Sequence, residues 1–510
     1  MRAVLWNFVC SIAAVALFWT ARVDAGDPPA HRGLYAIWAP RNVLDLPYIT
    51  GGQVVVQWAD LEPAEGRYDF GPLETALRAL GDKPATLQVN GNRKPAWLFD
   101  VVPSCPDKLG EQVADKQGTL MYWHPRHQQA YLNFLRAYGE FVQTAPWREQ
   151  VLGIRLNFNA LGTEHWRVAA GDRDLGNWTT PPGAAPGTAW TMQQGTAYRT
   201  QVLRAFVDAF APTVRVFVRN NIERELREPF EARFRSGELA WFHTSTEIEP
   251  RAAWGEWQYQ TFLDYCRSGS TLGYAEQWAS AWGHHGGVTD PRWCSPPQWN
   301  YWRLLADLHC GVSFIGVYGS DLAVAQQGVY RRKPVPQYQD EFRRAFEFAA
   351  RYAGYHASPK QSPGAWVAFR EGTFLKGDYN FLMERLPDES AERCLVGPEQ
   401  QRFGTWARVL PAGDTMRLKP SPEFAGSLSG KPASLRVVIL DSGTTPLTLA
   451  LDNGQSWEIP RTDTGRWREY VVPVERFPAA SPGSNIEIVV RSHSAETVLH
   501  MVEIIRSESP

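Results

Sequence analysis

Eight short apolar runs alternate with amphipathic helical stretches over some 320 residues, and this alternation constrains the fold more than any other feature. The runs are Gly33 to Trp38, Gln53 to Trp58, Ala85 to Val89, Val151 to Phe158, Val214 to Val218, Leu239 to Thr244, Thr271 to Glu276 and Val312 to Tyr318. Between and after them lie Pro72 to Leu80, His127 to Thr144, Thr196 to Phe210, Ile222 to Arg235, Trp257 to Cys266, Pro297 to Leu308 and Gln339 to Tyr352. In the second of these stretches Tyr131, Phe134, Leu135, Tyr138 and Phe141 share one side, the spacing of a helix laid on a core. Near-continuous apolar runs are strands buried on both faces, as in a parallel sheet. Strand and helix in strict alternation predict an α/β fold, a (β/α)8 TIM barrel. The competing doubly wound sheet loses its commonest cofactor reading, because no G-x-G-x-x-G follows an early strand.

The helical period stops after Ala357-Ser358-Pro359. Short alternating segments follow, among them Trp366 to Phe369, Ser434 to Leu440, Leu447 to Leu451, Trp467 to Val472 and Asn485 to Val490. Gly, Pro, Asp and Ser separate them, which predicts a jelly-roll-like β-sandwich. The expected organisation is a signal peptide over 1–25, a catalytic barrel over 30–357 and a sandwich over 360–510 that packs on the barrel or binds carbohydrate. Arg2, the uncharged stretch Val4 to Trp19 and Val23-Asp24-Ala25 form the signal pattern, with cleavage expected after Ala25. The alternative, an uncleaved anchor helix, is short for a bilayer. The chain is thus expected in the periplasm or outside the cell. Loss of Cys10 leaves Cys105, Cys266, Cys294, Cys310 and Cys394, an odd number with no C-x-x-C spacing.

Net charge is −2, which gives no electrostatic footprint for nucleic acid and no polybasic membrane grip. Twenty-two tryptophans stand in the chain. They serve either a large aromatic core or a cleft in which indole faces stack on sugar rings. The expected partner is a carbohydrate substrate, with no nucleic acid, no stable membrane insertion, no cofactor and no metal. His284-His285 reads as a solvated loop.

A TIM barrel places its chemistry at the C-terminal ends of its strands. There strand four leads to Asn157, Asn159, Glu164 and Trp166, and strand seven to Tyr274, Glu276 and Trp278. Strand six leads to His243 and Glu247, strand two to Trp58, strand three to Asn90. Two glutamates on nearly opposite strand ends suit glycosidic cleavage, one protonating the leaving oxygen while the other attacks or activates water. Glu164 and Glu276 are the candidates. Each also has a structural reading as a loop-ordering salt bridge. Trp58, Asn90, Asn157, Asn159, Trp166, His243, Glu247, Tyr274 and Trp278 are the candidate substrate contacts, with Trp38 and Trp282 as further stacking platforms. His243 also reads as a satisfied barrel-end histidine, and Glu247 as either a site or a structural residue.

The segment Trp58-Ala59-Asp60-Leu61-Glu62-Pro63-Ala64-Glu65-Gly66-Arg67-Tyr68-Asp69-Phe70 resembles the "W-x-x-(L)EP-x-x-G-x-Y-(D)F" stretch of clan A glycoside hydrolases. It is similar above all to the β-galactosidase-like family 42 and its uncharacterised relatives. The resemblance spans roughly 30–355. It implies a retaining glycosidase with Glu164 as acid/base and Glu276 as nucleophile. The clan usually sets Asn directly before the acid/base, whereas here Gly162-Thr163 precede Glu164. That leaves open an inverting site, or a degenerate barrel that binds carbohydrate without cleaving it.

Overall fold

A computed structural model describes residues 28–39, 41–220, 222, 224–244, 260–276, 280–282, 294–370, 377–387, 392–396, 401–479 and 486–507. Eight parallel strands close a barrel: β1 (Gly33–Ile37), β2 (Ile49–Gln57), β3 (Ala85–Asn90), β4 (Val151–Arg155), β5 (Val216–Arg219), β6 (Leu239–Thr244), β7 (Gly273–Glu276) and β8 (Phe314–Tyr318). Each pairs with its neighbours in sequence, and β8 closes on β1. Every residue of β1, β3 and β4 is buried, as a sheet covered on both sides requires.

Aromatic rings plug the lumen. Tyr35, Phe217, Phe242, Tyr274 and Phe314 form one cluster with Leu152 and Ala240, and the Phe217 and Tyr274 ring centroids stand 5.0 Å apart. Rings this large need small neighbours. A Cβ on Gly51 would lie 2.2 Å from the Pro84 carbonyl oxygen and 2.5 Å from the Tyr35 ring.

The outer layer includes α1 (Gly71–Arg78), α2 (Pro125–Thr144), α3 (Met192–Phe210), α4 (Pro296–His309), α5 (Gly319–Gln327) and α6 (Gln339–Tyr352). Their starts carry local signals. Thr191 and Gln194 form a reciprocal capping box at α3, and Ser295 and Gln298 one at α4, each satisfying otherwise orphaned N–H groups. The β1–β2 crossover departs from the barrel rule, with a 3-10 turn at Arg41–Val43 in place of a helix among the described residues. The stretch Ile222 to Arg235 is broken into Arg224–Arg227, a 3-10 turn at Glu228–Phe230 and Glu231–Arg235. Pro229, inside that 3-10 turn, lacks the N–H that a continuous helix needs there. Helix α5 was not expected from the sequence; its Gly-Ser-Asp-Leu-Ala-Val-Ala-Gln-Gln lacks a clear apolar stripe.

Behind the barrel come β9 (Gly364–Ala368), β10 (Tyr379–Phe381), β11 (Met383–Arg385), β12 (Glu392–Val396), β13 (Thr405–Leu410), β14 (Thr415–Pro420), β15 (Ala433–Asp441), β16 (Leu447–Leu451), β17 (Ser456–Ile459), β18 (Arg466–Val474), β19 (Ile488–Arg491) and β20 (Thr497–Arg506). All pair antiparallel. One sheet runs β10-β9-β20-β13-β12, with β15 also on β20 and β18 on β15; the other runs β11-β14-β19-β16-β17. Leu418, Leu435, Val437, Leu449, Ile488, Val490 and Val502 lie in the core of this sandwich.

Sandwich and barrel share a second apolar region. All of α4 is buried; its Trp302 indole donates to the Gly404 carbonyl at 2.8 Å and Gln298 to the Phe403 carbonyl at 2.7 Å. Glu503, fully buried, accepts from Tyr352 and faces Arg436 at 2.5 Å. Cys105, Cys266, Cys294 and Cys310 are buried. The side chain of Cys394 and the expected signal segment lie outside the described residues. Among the described residues no helix is long and apolar enough to cross a membrane.

Candidate active site

Strand β4 stops at Arg155, three residues before the end expected from the apolar run. The chain then folds into a loop that presents Glu164. Asn159 takes a left-handed φ of 49°, a conformation Asn tolerates better than most residues. Backbone bonds Asn159 N–H to Thr163 O (3.0 Å) and Leu161 N–H to His165 O (2.8 Å) close the loop. Gly162 has φ 79°, and a Cβ there would sit 2.3 Å from the Gln112 Cβ, so the turn demands glycine. Gln112 Oε1 accepts from both Thr163 N–H and Glu164 N–H at 3.0 Å, and Thr163 Oγ1 donates to Asn92 Oδ1 at 2.6 Å.

The Glu164 carboxylate meets two guanidinium groups. Arg155 Nη2 and Arg219 Nη1 both contact its Oε1. Arg155 also reaches Glu276, with Nη1 3.2 Å from Glu276 Oε1. Glu276 ends β7, and its Oε2 accepts from Gln53 Nε2 at 2.7 Å and from the Tyr274 hydroxyl at 3.2 Å. One guanidinium therefore spans the two predicted carboxylates. That arrangement lies inside the roughly 9.5 Å outer limit for two-carboxylate glycoside hydrolysis. Arg155 is fixed independently, by Gln88 Oε1 at 2.8 Å and by the Phe242 ring 4.2 Å below its guanidinium carbon. Burial pulls both Arg155 and Arg219 down to about 10, with Glu276 opposing the shift in each; both stay cationic at neutral pH. Burial, and next the Glu276 charge, drive the Tyr274 phenol well above its usual range, so it donates as a neutral hydroxyl.

The other predicted contacts divide. Asn90, Asn157 and Asn159 are buried beneath the mouth, where Asn157 and Asn159 donate to the Val89 carbonyl at 3.0 and 3.2 Å and Asn157 Nδ2 lies 3.3 Å from Asn90 Oδ1. They brace the loop. Tyr274 stands at the nucleophile candidate. His243 is buried, its ring tilted against Phe262 at 6.0 Å. Trp58 corrects an expectation: it is fully buried among His127, Tyr131 and Phe134, with its indole N–H on Glu62 at 2.8 Å. No face of it is left for a sugar. Trp282 stacks on Tyr330 at 4.3 Å, whereas Trp38, just past β1, is 59% exposed. Glu247 and Trp278 lie outside the described residues.

Trp166 lines a cleft of about 490 Å³ together with Phe158, Glu164, Arg167, Arg199 and Arg219. That volume is in the range of small-ligand sites. The Arg199 guanidinium lies over Trp166 at 4.4 Å and Phe158 at 4.9 Å.

Reading only the polar residues after each strand missed Arg155, Arg219, Gln53 and Gln88, which lie within the strands. The available signal was a charged or amide side chain inside an apolar run, such as the Arg in Val-Leu-Gly-Ile-Arg-Leu.

The chain matches no family model and no curated protein. Among solved structures it is similar to the C-terminal family 6 carbohydrate-binding module of a laminarinase from Zobellia galactanivorans, at 11% identity over 24% of this chain and 99% of that one, with a TM-score of 0.18. A family 35 carbohydrate-binding module from Clostridium thermocellum gives 10% identity, 24% and 92% coverage and a TM-score of 0.19. An exo-β-1,3-galactanase from Phanerochaete chrysosporium, with bound β-1,3-galactotriose, gives 14%, 24% and 27%, and 0.18. Likenesses this slight assign neither family nor substrate.

Proposed function

We propose that this chain is a glycoside hydrolase that cleaves a β-linked glycoside at the C-terminal mouth of its barrel. One observation carries the reading: the carboxylates of Glu164 and Glu276, from the β4 loop and the end of β7, share the Arg155 guanidinium. Glu276 acts as nucleophile. Arg155, Gln53 and Tyr274 orient its carboxylate, which fixes the direction of attack on the anomeric carbon. Glu164 acts as acid/base, giving a proton to the leaving oxygen and then taking one from water. The exposed Trp38 offers the sugar an aromatic face, and Trp166 lines the cleft beside Glu164. The clan A pattern between Trp58 and Phe70 supports the same assignment.

A second reading is binding without turnover. It is favoured by the two cations on Glu164 Oε1, which hold the carboxylate that acid catalysis needs free for the leaving oxygen. The test is a panel of aryl β-glycosides and polysaccharides with wild type and Glu276→Gln. The hydrolase reading expects wild-type turnover, and a variant that keeps sugar binding while turnover disappears. Turnover unchanged in Glu276→Gln refutes the nucleophile assignment. Sugar binding by wild type with no turnover selects the second reading.

A further inference from the structure

Arg155 and Arg219 come from adjacent strands, at the ends of β4 and β5. Both guanidinium groups lie over the Phe242 ring, at 4.2 and 5.7 Å, so the barrel wall supports both of them. Together they form a rigid, cationic, two-armed seat whose geometry suits a carboxylate, since the planar guanidinium fork matches carboxylate oxygens. In this structure a carboxylate does sit in it, that of Glu164. Glu164 arrives from a loop, and the same side chain lines the about 490 Å³ cleft. Arg167 and Arg199 stand on the cleft's wall, their guanidinium carbons 5.1 and 4.4 Å from the Trp166 ring centre.

Acid catalysis needs Glu164 free to face the leaving oxygen, and here the seat holds its carboxylate. Withdrawing Glu164 unaided would take one carboxylate away from two buried cations, with Glu276 still on Arg155, and such a loss is unfavourable. A carboxylate brought by the substrate removes the conflict. It takes the place of Glu164 on Arg155 and Arg219, keeps both cations paired, and frees Glu164 to face the leaving oxygen as an acid. We infer that the site selects an acidic glycan, a β-linked glycoside of a uronic acid, whose carboxylate exchanges with that of Glu164 on the Arg155–Arg219 seat. This rests on the proposal that the mouth is a glycosidase site and adds its substrate class. Arg219 is then a specificity residue, since its guanidinium contacts the seated carboxylate.

The test compares the 4-methylumbelliferyl β-glucuronide with the matching β-glucoside and β-galactoside, in turnover and in calorimetric binding of glucuronate, glucose and acetate. Wild type is expected to prefer the acidic sugar by about tenfold or more, the worth of a charge-assisted pair. Glu164→Gln empties the seat of its resident charge. It is expected to bind glucuronate several-fold more tightly than wild type while glucose binding is unchanged. Arg219→Gln is expected to lose the preference for acid, and Arg219→Lys, which keeps the charge without the fork, to retain part of it. Equal handling of neutral and acidic glycosides by wild type overturns the inference while leaving the hydrolase reading intact. Weaker glucuronate binding by Glu164→Gln overturns the exchange, and acetate binding as tightly as glucuronate overturns the sugar class. Absence of binding and turnover for every glycoside overturns the hydrolase reading itself.

Discussion

Replacing Glu62 by Gln should change the sign of its effect on stability between acid and alkaline solution. Glu62 lies at the foot of the barrel's second crossover, buried, with Oε2 accepting from the Trp58 indole at 2.8 Å and Oε1 from the Gly66 N–H at 3.1 Å. Burial dominates over those two donors and raises its carboxyl from 4.5 to about 7. Between those values the native chain holds a proton that the unfolded chain has released, so stability falls as pH rises through this window. The difference of about 2.5 pH units corresponds to about 3 kcal/mol, lost in full above pH 7. Gln cannot ionise and is spared that loss. It has one acceptor oxygen for two donors, which costs about 1 kcal/mol at any pH. The variant should therefore be more stable than wild type by about 2 kcal/mol at pH 8 and less stable by about 1 kcal/mol at pH 4.5. Urea unfolding at the two pH values, with the slope checked for constancy, measures both differences. A variant-minus-wild-type difference of the same size and sign at both pH values would refute the argument that Glu62 titrates in the fold.

Three further outcomes follow from the packing. Burial alone raises the Asp441 carboxyl, but donors from Thr462 and Thr464 outweigh it and bring it to about 2; its contribution is present above about pH 3.8 and lost as pH falls towards 2, so Asp441→Asn should flatten acid denaturation monitored by circular dichroism in that interval. Arg436→Met leaves Glu469 and Glu503 without their shared cation and should cost about 3–5 kcal/mol in urea unfolding. Gly51→Ala forces a methyl against Pro84 and Tyr35 and should lower the thermal midpoint, through a loss of about 1–3 kcal/mol.

The barrel was legible because its strands are mostly buried and so read as largely apolar runs. Leu239–Thr244 and Gln339–Tyr352 have the bounds expected from pattern alone. Strand β4 was overextended because Leu156 and Phe158 are buried too, and burial in a loop leaves the same apolar trace as burial in a strand. The two glutamates were visible as acids near strand ends, but their surroundings were not. Arg155 and Arg219 belong to the site through a meeting of β4, β5 and β7 in space, and no local spacing encodes that. The tryptophan excess was ambiguous for a related reason. Trp58, Trp241, Trp299 and Trp302 are fully buried, while Trp38 is open to solvent, and composition does not separate the two uses.

The enclosure of α4 has a consequence for how this protein can vary. A helix wetted on one side accepts polar residues there, but this one has no wet side, because Trp302 and Tyr301 rest on the sandwich strands. A chain cut after residue 357 would carry that oily flank into water and would precipitate rather than yield a working half. The rear unit is thus less an accessory module than the missing wall of the front one, and the two must be inherited, expressed and engineered together.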